Sequence, residues 1–203
     1  MVKGIVFDFG GVFTKTWRRR QLWRRCEAKL GLKPGSISEM LFTGQHWWDV
    51  STGKASEEEY WYHVRMALGG QVPVELEPFR YNPFAYEELN KSMVVLVRRL
   101  HKRHNVALLS NATAYLDSLL IEYRLTDLFD VAVNSARVGR RKPDPEIYRL
   151  TCQRLGLLPA ECLFVDDKER NTQVAKSLGM RALVFSSATQ LIRELPGIGV
   201  KIR

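Results

Sequence analysis

The 203-residue chain lacks any apolar run long enough to cross a bilayer: the longest, Met93 to Val97, falls far short of the roughly 20 residues a spanning helix needs. A secretory-type start is missing too, because Asp8 interrupts the first apolar run, so a cytoplasmic protein with no membrane partner is expected. Cysteine is scarce. Cys26, Cys152 and Cys162 are odd in number and widely spaced, with no CxxC pair and no nearby histidines, which excludes a disulfide framework and argues against a zinc site. Internal repeats and low-complexity segments are absent. Acidic residues are the minority, 22 against 31 Lys plus Arg for a net charge of +9, and such a field favours anionic partners, phosphorylated metabolites as readily as nucleic acid. One further absence is local. In "VFDFGGVFT", Val6 to Thr14, Gly10 stands where a second carboxylate, two residues after Asp8, would be placed to handle protons.

What remains is ordinary globular composition, 45% apolar and 26% charged. "VKGIVFDF" reads as a buried strand ending near Asp8. From Trp17 to Leu30 the spacing of Leu22, Cys26 and Leu30 predicts a helix stopped by Gly31, and Ser56 with Glu59 forms a capping box that opens another, ended by Gly69. "KPGS", "FTGQ" and "PFRYNP" read as turns. After Tyr86 the rhythm changes. Leu89, Met93, Leu96 and Leu100 mark a helix face, followed by a strand at Val106 to Ser110, a helix near Tyr115 to Tyr123 and a strand "FDVAV". Asp144 and Pro145 then open a helix to about Leu155, "CLFVDD" is a strand, Glu169 to Leu178 a helix and "RALVF" a last strand. Alternation of this kind predicts an α/β fold with a doubly wound, Rossmann-like parallel sheet. Residues 1–14 and 87–203 would form that core, and residues 15–86 a helical insertion.

Three of the predicted strands end in polar residues: Asp8, then Ser110 and Asn111, then Asp166 and Asp167. Ligands of an open parallel sheet bind beyond the carboxyl ends of its strands. Singly, Ser110 and Asn111 suit a helix cap and the two aspartates a helix start. Together, converging carboxylates repel unless a cation compensates them. A hard ion such as Mg²⁺ would accept two or three carboxylates plus a backbone carbonyl. A phosphate could then approach, with Lys142 neutralising the rest of its charge, unless that lysine merely belongs to a solvated basic run with Arg140 and Arg141.

Four segments in order, "FDFGGV", "LLSN", "RKPDPEIY" and "FVDDKERN", resemble the motifs of the haloacid dehalogenase superfamily of hydrolases. The resemblance implies that Asp8 is a nucleophile forming an aspartyl-phosphate, that Ser110 hydrogen-bonds the transferring group and that Lys142 holds both Asp8 and the phosphoryl oxygens. It further implies an Mg²⁺ ion held by Asp8, Asp166, Asp167 and the Gly10 carbonyl, with Gly10, Gly11 and Asn111 beside a small phosphorylated substrate. The insertion, whose "STGKASEEEYW" resembles a recurring segment of the family, would be a cap closing over the site. His46, Trp47, Trp48 and Asp49 carry no assigned role.

Phosphatases of this family commonly place an Asp where Gly10 stands, and loss of a general acid/base costs about 10²–10⁴-fold in rate. Acyl or anomeric phosphates, whose leaving groups need little help, would suffer least. A metal-free 2-haloacid dehalogenase is the second reading, set behind by the carboxylates Asp166 and Asp167. The third is a catalytically weak binding module, for which Arg18, Arg19, Arg20, Arg24 and Arg25 could meet nucleic acid. The plainer account of those arginines is a solvated helix face opposite Leu22, Cys26 and Leu30.

Overall fold

A computed structural model describes residues 1–202. Strand β1 (Gly4–Phe7) is followed by the short β2 (Thr14–Lys15) and then by four helices, α1 (Trp17–Lys29), α2 (Ser36–Phe42), α3 (Gly44–Ser51) and α4 (Glu57–Ala67). The chain returns through β3 (Glu88–Leu89), after which helix and strand alternate: α5 (Lys91–Leu100), β4 (Asn105–Ser110), α6 (Tyr115–Glu122), β5 (Val131–Asn134), α7 (Ser135–Val138), α8 (Pro145–Arg154), β6 (Cys162–Asp166), α9 (Glu169–Ser177), β7 (Arg181–Val184) and α10 (Ala188–Glu194). No helix among the described residues is long and apolar enough to cross a membrane.

Five strands form one parallel sheet in the order β5-β4-β1-β6-β7. All four residues of β1 are buried, because the strand lies in the middle of the sheet and helices cover both faces. Its alternation divides the interior. Ile5 and Phe7 pack toward Met93 and Leu100 of α5, Leu119 of α6 and Leu191 of α10, whereas Val6 packs toward Ile147 and Tyr148 of α8 and Ala175 of α9. The sheet therefore has the predicted doubly wound, Rossmann-like character. Its strand order reverses between β1 and β6, which sets the crevice beyond the ends of those two strands. Asp8 and Asp166 sit at that crevice.

The insertion has an apolar cluster of its own, including Trp23, Ile37, Leu41, Trp47, Trp61 and Phe79. Where it leaves and rejoins the core, β2 and β3 pair antiparallel, Thr14 with Leu89 and Lys15 with Glu88. Asn90 closes the clasp: its N–H donates to the Phe13 carbonyl at 2.7 Å and its side-chain amide to the Val12 carbonyl at 3.1 Å.

The capping signals hold. The Ser56 hydroxyl accepts the Glu59 N–H at 3.1 Å while Glu59 accepts the Ser56 N–H at 2.7 Å, and Asp144 accepts the Glu146 N–H at 2.9 Å ahead of Pro145. Other expectations are corrected. The turns expected at "KPGS" and "FTGQ" fall before and between two helices, α2 and α3, for which the sequence carries no separate signal, since each is too short to show a period and gains its stability by burying Ile37, Leu41 and Trp47. Leu89 lies in β3 rather than on α5. On α1 the buried residues are Trp23, Cys26 and Glu27, while Leu30 is exposed, so the apolar face is turned from the expected one. Glu27 tolerates burial because its carboxylate accepts the N–H groups of Gly35 and Ile37, each at 3.0 Å.

Candidate active site

Asp8 is delivered by β1 and anchored by its N–H, which donates to the Val165 carbonyl of β6 at 2.9 Å. Asp166 ends β6 next to it, fully buried, and Asp167 follows. Oxygens of these three carboxylates lie within 4.8 Å of one another. Lys142 reaches between two of them, its ammonium 2.7 Å from Asp8 Oδ1 and 2.7 Å from Asp166 Oδ2. Only 1% of this lysine is exposed, so it is no part of a solvated basic run.

Asn111 holds that lysine in place. Its side-chain oxygen accepts the Lys142 N–H at 2.8 Å and its side-chain nitrogen donates to the Lys142 carbonyl at 2.7 Å. Asn111 also lines the cavity that contains Asp8, and the N-cap position of α6 falls at Ala114 rather than at Ser110 or Asn111. Ser110 lines the same cavity as Asp8, Gly10, Gly11 and Asp167. Asn171 received no role from the sequence, although it lies in the fourth motif; its amide donates to both Asp166 oxygens at 3.0 Å. Its position on the first turns of α9, facing back to the strand end, was the available signal.

The electrostatics follow from burial. Asp8 is pushed up to about 6 by burial, with Lys142 pulling in the opposite direction. Burial acts the same way on Asp166, but Lys142, the Lys168 N–H and Asn171 outweigh it and hold this carboxyl below its usual value. Burial would lower Lys142, yet the two carboxylates keep it raised. Burial also raises Asp167, whose Oδ1 is buried with no hydrogen-bond partner. Three carboxylates gather around the one ammonium that bridges two of them, a crowding of negative charge that a divalent cation would relieve. The orphaned Asp167 oxygen beside them is a donor such an ion could use, and the all-oxygen donor set suits a hard ion.

The glycine pair divides its duties. Gly11 has φ +81°, and a Cβ there would lie 2.5 Å from Asp167 Oδ2. Gly11→Ala is therefore expected to destabilise the protein by about 1–3 kcal/mol in denaturant unfolding, from left-handed strain alone, and to displace Asp167. At Gly10 an added Cβ meets nothing closer than Phe84 Cε1 at 3.9 Å, so this position has room for a side chain.

The arginines of α1 do not form one solvated face. Arg19 has its guanidinium 4.6 Å from the Trp23 ring and 5.2 Å from the Phe42 ring, pairs with the buried Glu87, and lines the cavity with Arg20 and Arg24. Neither this face nor Arg141 was assigned to the site from sequence, because a basic run carries no mark of which members turn inward.

A family model described as a haloacid dehalogenase-like hydrolase matches residues 2–179. A phosphatase of Mycobacterium tuberculosis is 32% identical, over 98% of this chain and 95% of its own length. The D-ribitol-5-phosphate phosphatase of Bacteroides thetaiotaomicron is 29% identical, over 96% of this chain and 97% of its own. Among solved structures, the HAD family enzyme bt-2542 of the same organism, in complex with magnesium and inorganic phosphate, superposes with a TM-score of 0.73 at 21% identity, covering 95% of this chain and 100% of that one.

Proposed function

Because this chain belongs to the haloacid dehalogenase-like hydrolases, we propose that it is an Mg²⁺-dependent phosphatase that cleaves a small phosphorylated metabolite through a phosphorylated Asp8. The observation that carries this reading is the Asp8, Asp166 and Asp167 cluster, with the Asp167 Oδ1 atom left unpaired beside a lysine-held nucleophile. Relatives that are named phosphatases along nearly their whole length support it.

In this reading Asp8, Asp166 and Asp167, with the Gly10 carbonyl, hold Mg²⁺. The bound ion supplies positive charge to the phosphoryl oxygens. Lys142 takes Asp8 Oδ1, which leaves Oδ2 free to attack phosphorus. The P–O bond to the leaving group breaks as the Asp8–phosphorus bond forms, and water then attacks the acyl-phosphate to release phosphate and restore the carboxylate. Ser110 hydrogen-bonds the transferring group, and Lys142 balances its charge. Gly10 gives the departing oxygen no proton, so the leaving group must be stable as an anion or draw its proton from water. The insertion acts as the cap: Trp23, Glu27, Phe42 and Trp47 from its helices line the 600 Å³ cavity that also contains Asp8. Its boundaries with the core fall at the clasp of β2 and β3.

A screen of phosphorylated metabolites, sugar phosphates and acyl phosphates included, is expected to show phosphate release that Mg²⁺ supports and chelator abolishes, fastest on the acyl or anomeric phosphates. Halide release from a 2-haloacid in excess chelator would replace this reading with the dehalogenase. Salt-sensitive binding of nucleic acid with no hydrolysis of any compound would replace it with the binding module.

A further inference from the structure

The cavity holds more positive charge than one phosphoryl group requires. Its carboxylates are already committed: Asp8 to Lys142, Glu87 to Arg19, Glu27 to the backbone of α2, and Asp167 to the proposed ion. Four further arginines on its wall, Arg20, Arg24, Arg141 and Arg170, take part in no ion pair among the described residues. Three of them are exposed and solvated at little cost. Arg141 is not, for only 8% of it is exposed.

Arg141 is the residue before Lys142, so the loop that carries the catalytic ammonium carries this guanidinium too. Its plane lies near two rings of α3, 5.7 Å from the Trp47 centroid and 5.1 Å from the Trp48 centroid. Nη1 donates to Ser51 Oγ at 2.8 Å, while Nε is buried with no partner at all. A guanidinium has five N–H donors in a fixed fork suited to a carboxylate or phosphate, and burying one unpaired is costly. One serine hydroxyl does not meet that demand. Burial, followed by the like charge of Arg170 on α9, pushes the Arg141 guanidinium down to about 10, so the two cations repel each other. A ligand anion is the group whose arrival would satisfy both.

We infer that Arg141, with Arg170, forms a second anion subsite in the cavity, and that the substrate is a small phosphomonoester whose far end carries a carboxylate or a second phosphate. The phosphoryl end of this inference rests on the proposed function; the far end rests on the arginines. A neutral polyol phosphate would leave Arg141 as poorly satisfied as it stands, which separates such substrates from the preferred one.

The test is calorimetric binding of non-hydrolysable probes to the full, Mg²⁺-loaded chain: simple alkylphosphonates, ω-carboxyalkylphosphonates and α,ω-bisphosphonates, matched for length across short alkyl chains. At the best length one of the two doubly anionic series is expected to bind about tenfold or more tighter than the alkylphosphonate, the scale of one charge-assisted hydrogen-bonded contact. Which series gains identifies the second group as carboxylate or phosphate. That advantage should collapse toward unity in Arg141→Gln, shrink in Arg170→Gln, and be recovered only in part by Arg141→Lys, which restores charge without the fork. Arg170 is exposed, so its variant reads the subsite even where Arg141→Gln loosens the contact with Ser51. Tight binding of alkylphosphonates with no advantage for either series overturns the inference and leaves the phosphatase reading intact. An equal loss for alkylphosphonates and doubly anionic probes in Arg141→Gln also overturns it, since the arginine would then serve the phosphoryl group itself. Failure of every phosphonate to bind removes both readings.

Discussion

Asp8→Asn is expected to abolish Mg²⁺-dependent phosphate release, lowering kcat by about 10³-fold or more, while the protein stays folded. The size follows from the proposed role: removing a covalent nucleophile removes the reaction path rather than one of its supports. The fold survives because Asp8 is a poorly solvated carboxylate, already pushed up to about 6 by burial, and an amide of the same shape relieves that cost. Its N–H bond to Val165 is main-chain and unaffected. In the metal-free protein, Asp8→Asn should therefore unfold at no lower denaturant concentration than the parent. Loss of activity together with loss of the folded transition would point to a structural role, and full activity in the variant would eliminate the phospho-Asp8 route. Mass spectrometry of acid-quenched protein during turnover gives the direct check, a phosphoryl adduct on Asp8 in the parent and none in the variant.

The second large effect runs the other way. Gly10→Asp is expected to raise turnover of ordinary alkyl phosphates by about 10²-fold, the lower end of what a positioned general acid/base contributes. Space permits it, since the added Cβ meets only the edge of Phe84 at 3.9 Å and the residue does not have the positive φ of its neighbour Gly11. The gain should be selective. Acyl phosphates, whose leaving groups depart without a proton, are expected to change little, so the ratio of alkyl to acyl phosphate turnover is the quantity to measure. Equal acceleration of both classes would show that the side chain acts on binding or on the metal site rather than on the proton. No change in either would mean that water, or another group in the cavity, already serves the leaving oxygen.

The sequence carried the architecture and the chemistry of the strand ends, but not the way side chains turn in loops. Buried strands such as Gly4–Phe7 announce themselves by apolar runs, and the helices after residue 86 by period and caps, because both signals are local. The grouping of Asp8 and Asp166 followed from where their strands end, whereas Lys142 joined them only through the resemblance of its motif. "RRK" at 140–142 shows the limit. Arg140 pairs with Asp144 at the surface, Arg141 is buried beneath two tryptophans, and Lys142 is buried between two aspartates. Three like charges in a row have three surroundings because one loop passes between α3 and the end of the sheet. Asn111 is a similar case: a residue next to Ser110 looks like a cap or a ligand, and only the return of the chain to Lys142 makes it a clamp. Helices α2 and α3 were hidden for another reason, since their order comes from the tryptophan cluster they join rather than from their own propensity.

The clasp of β2 and β3 brings the two ends of the long excursion between them side by side. Thr14 and Leu89 face each other across one antiparallel ladder, so their Cα atoms are about 5 Å apart. A gene in which residues 16–87 are replaced by a tight turn of about two residues would join the same two points, and none of the five sheet strands would have to move. Evolution can thus lengthen, shorten or exchange this excursion by splicing at one place, while Asp8 on one side of the seam and Ser110, Lys142 and Asp166 on the other keep their registry.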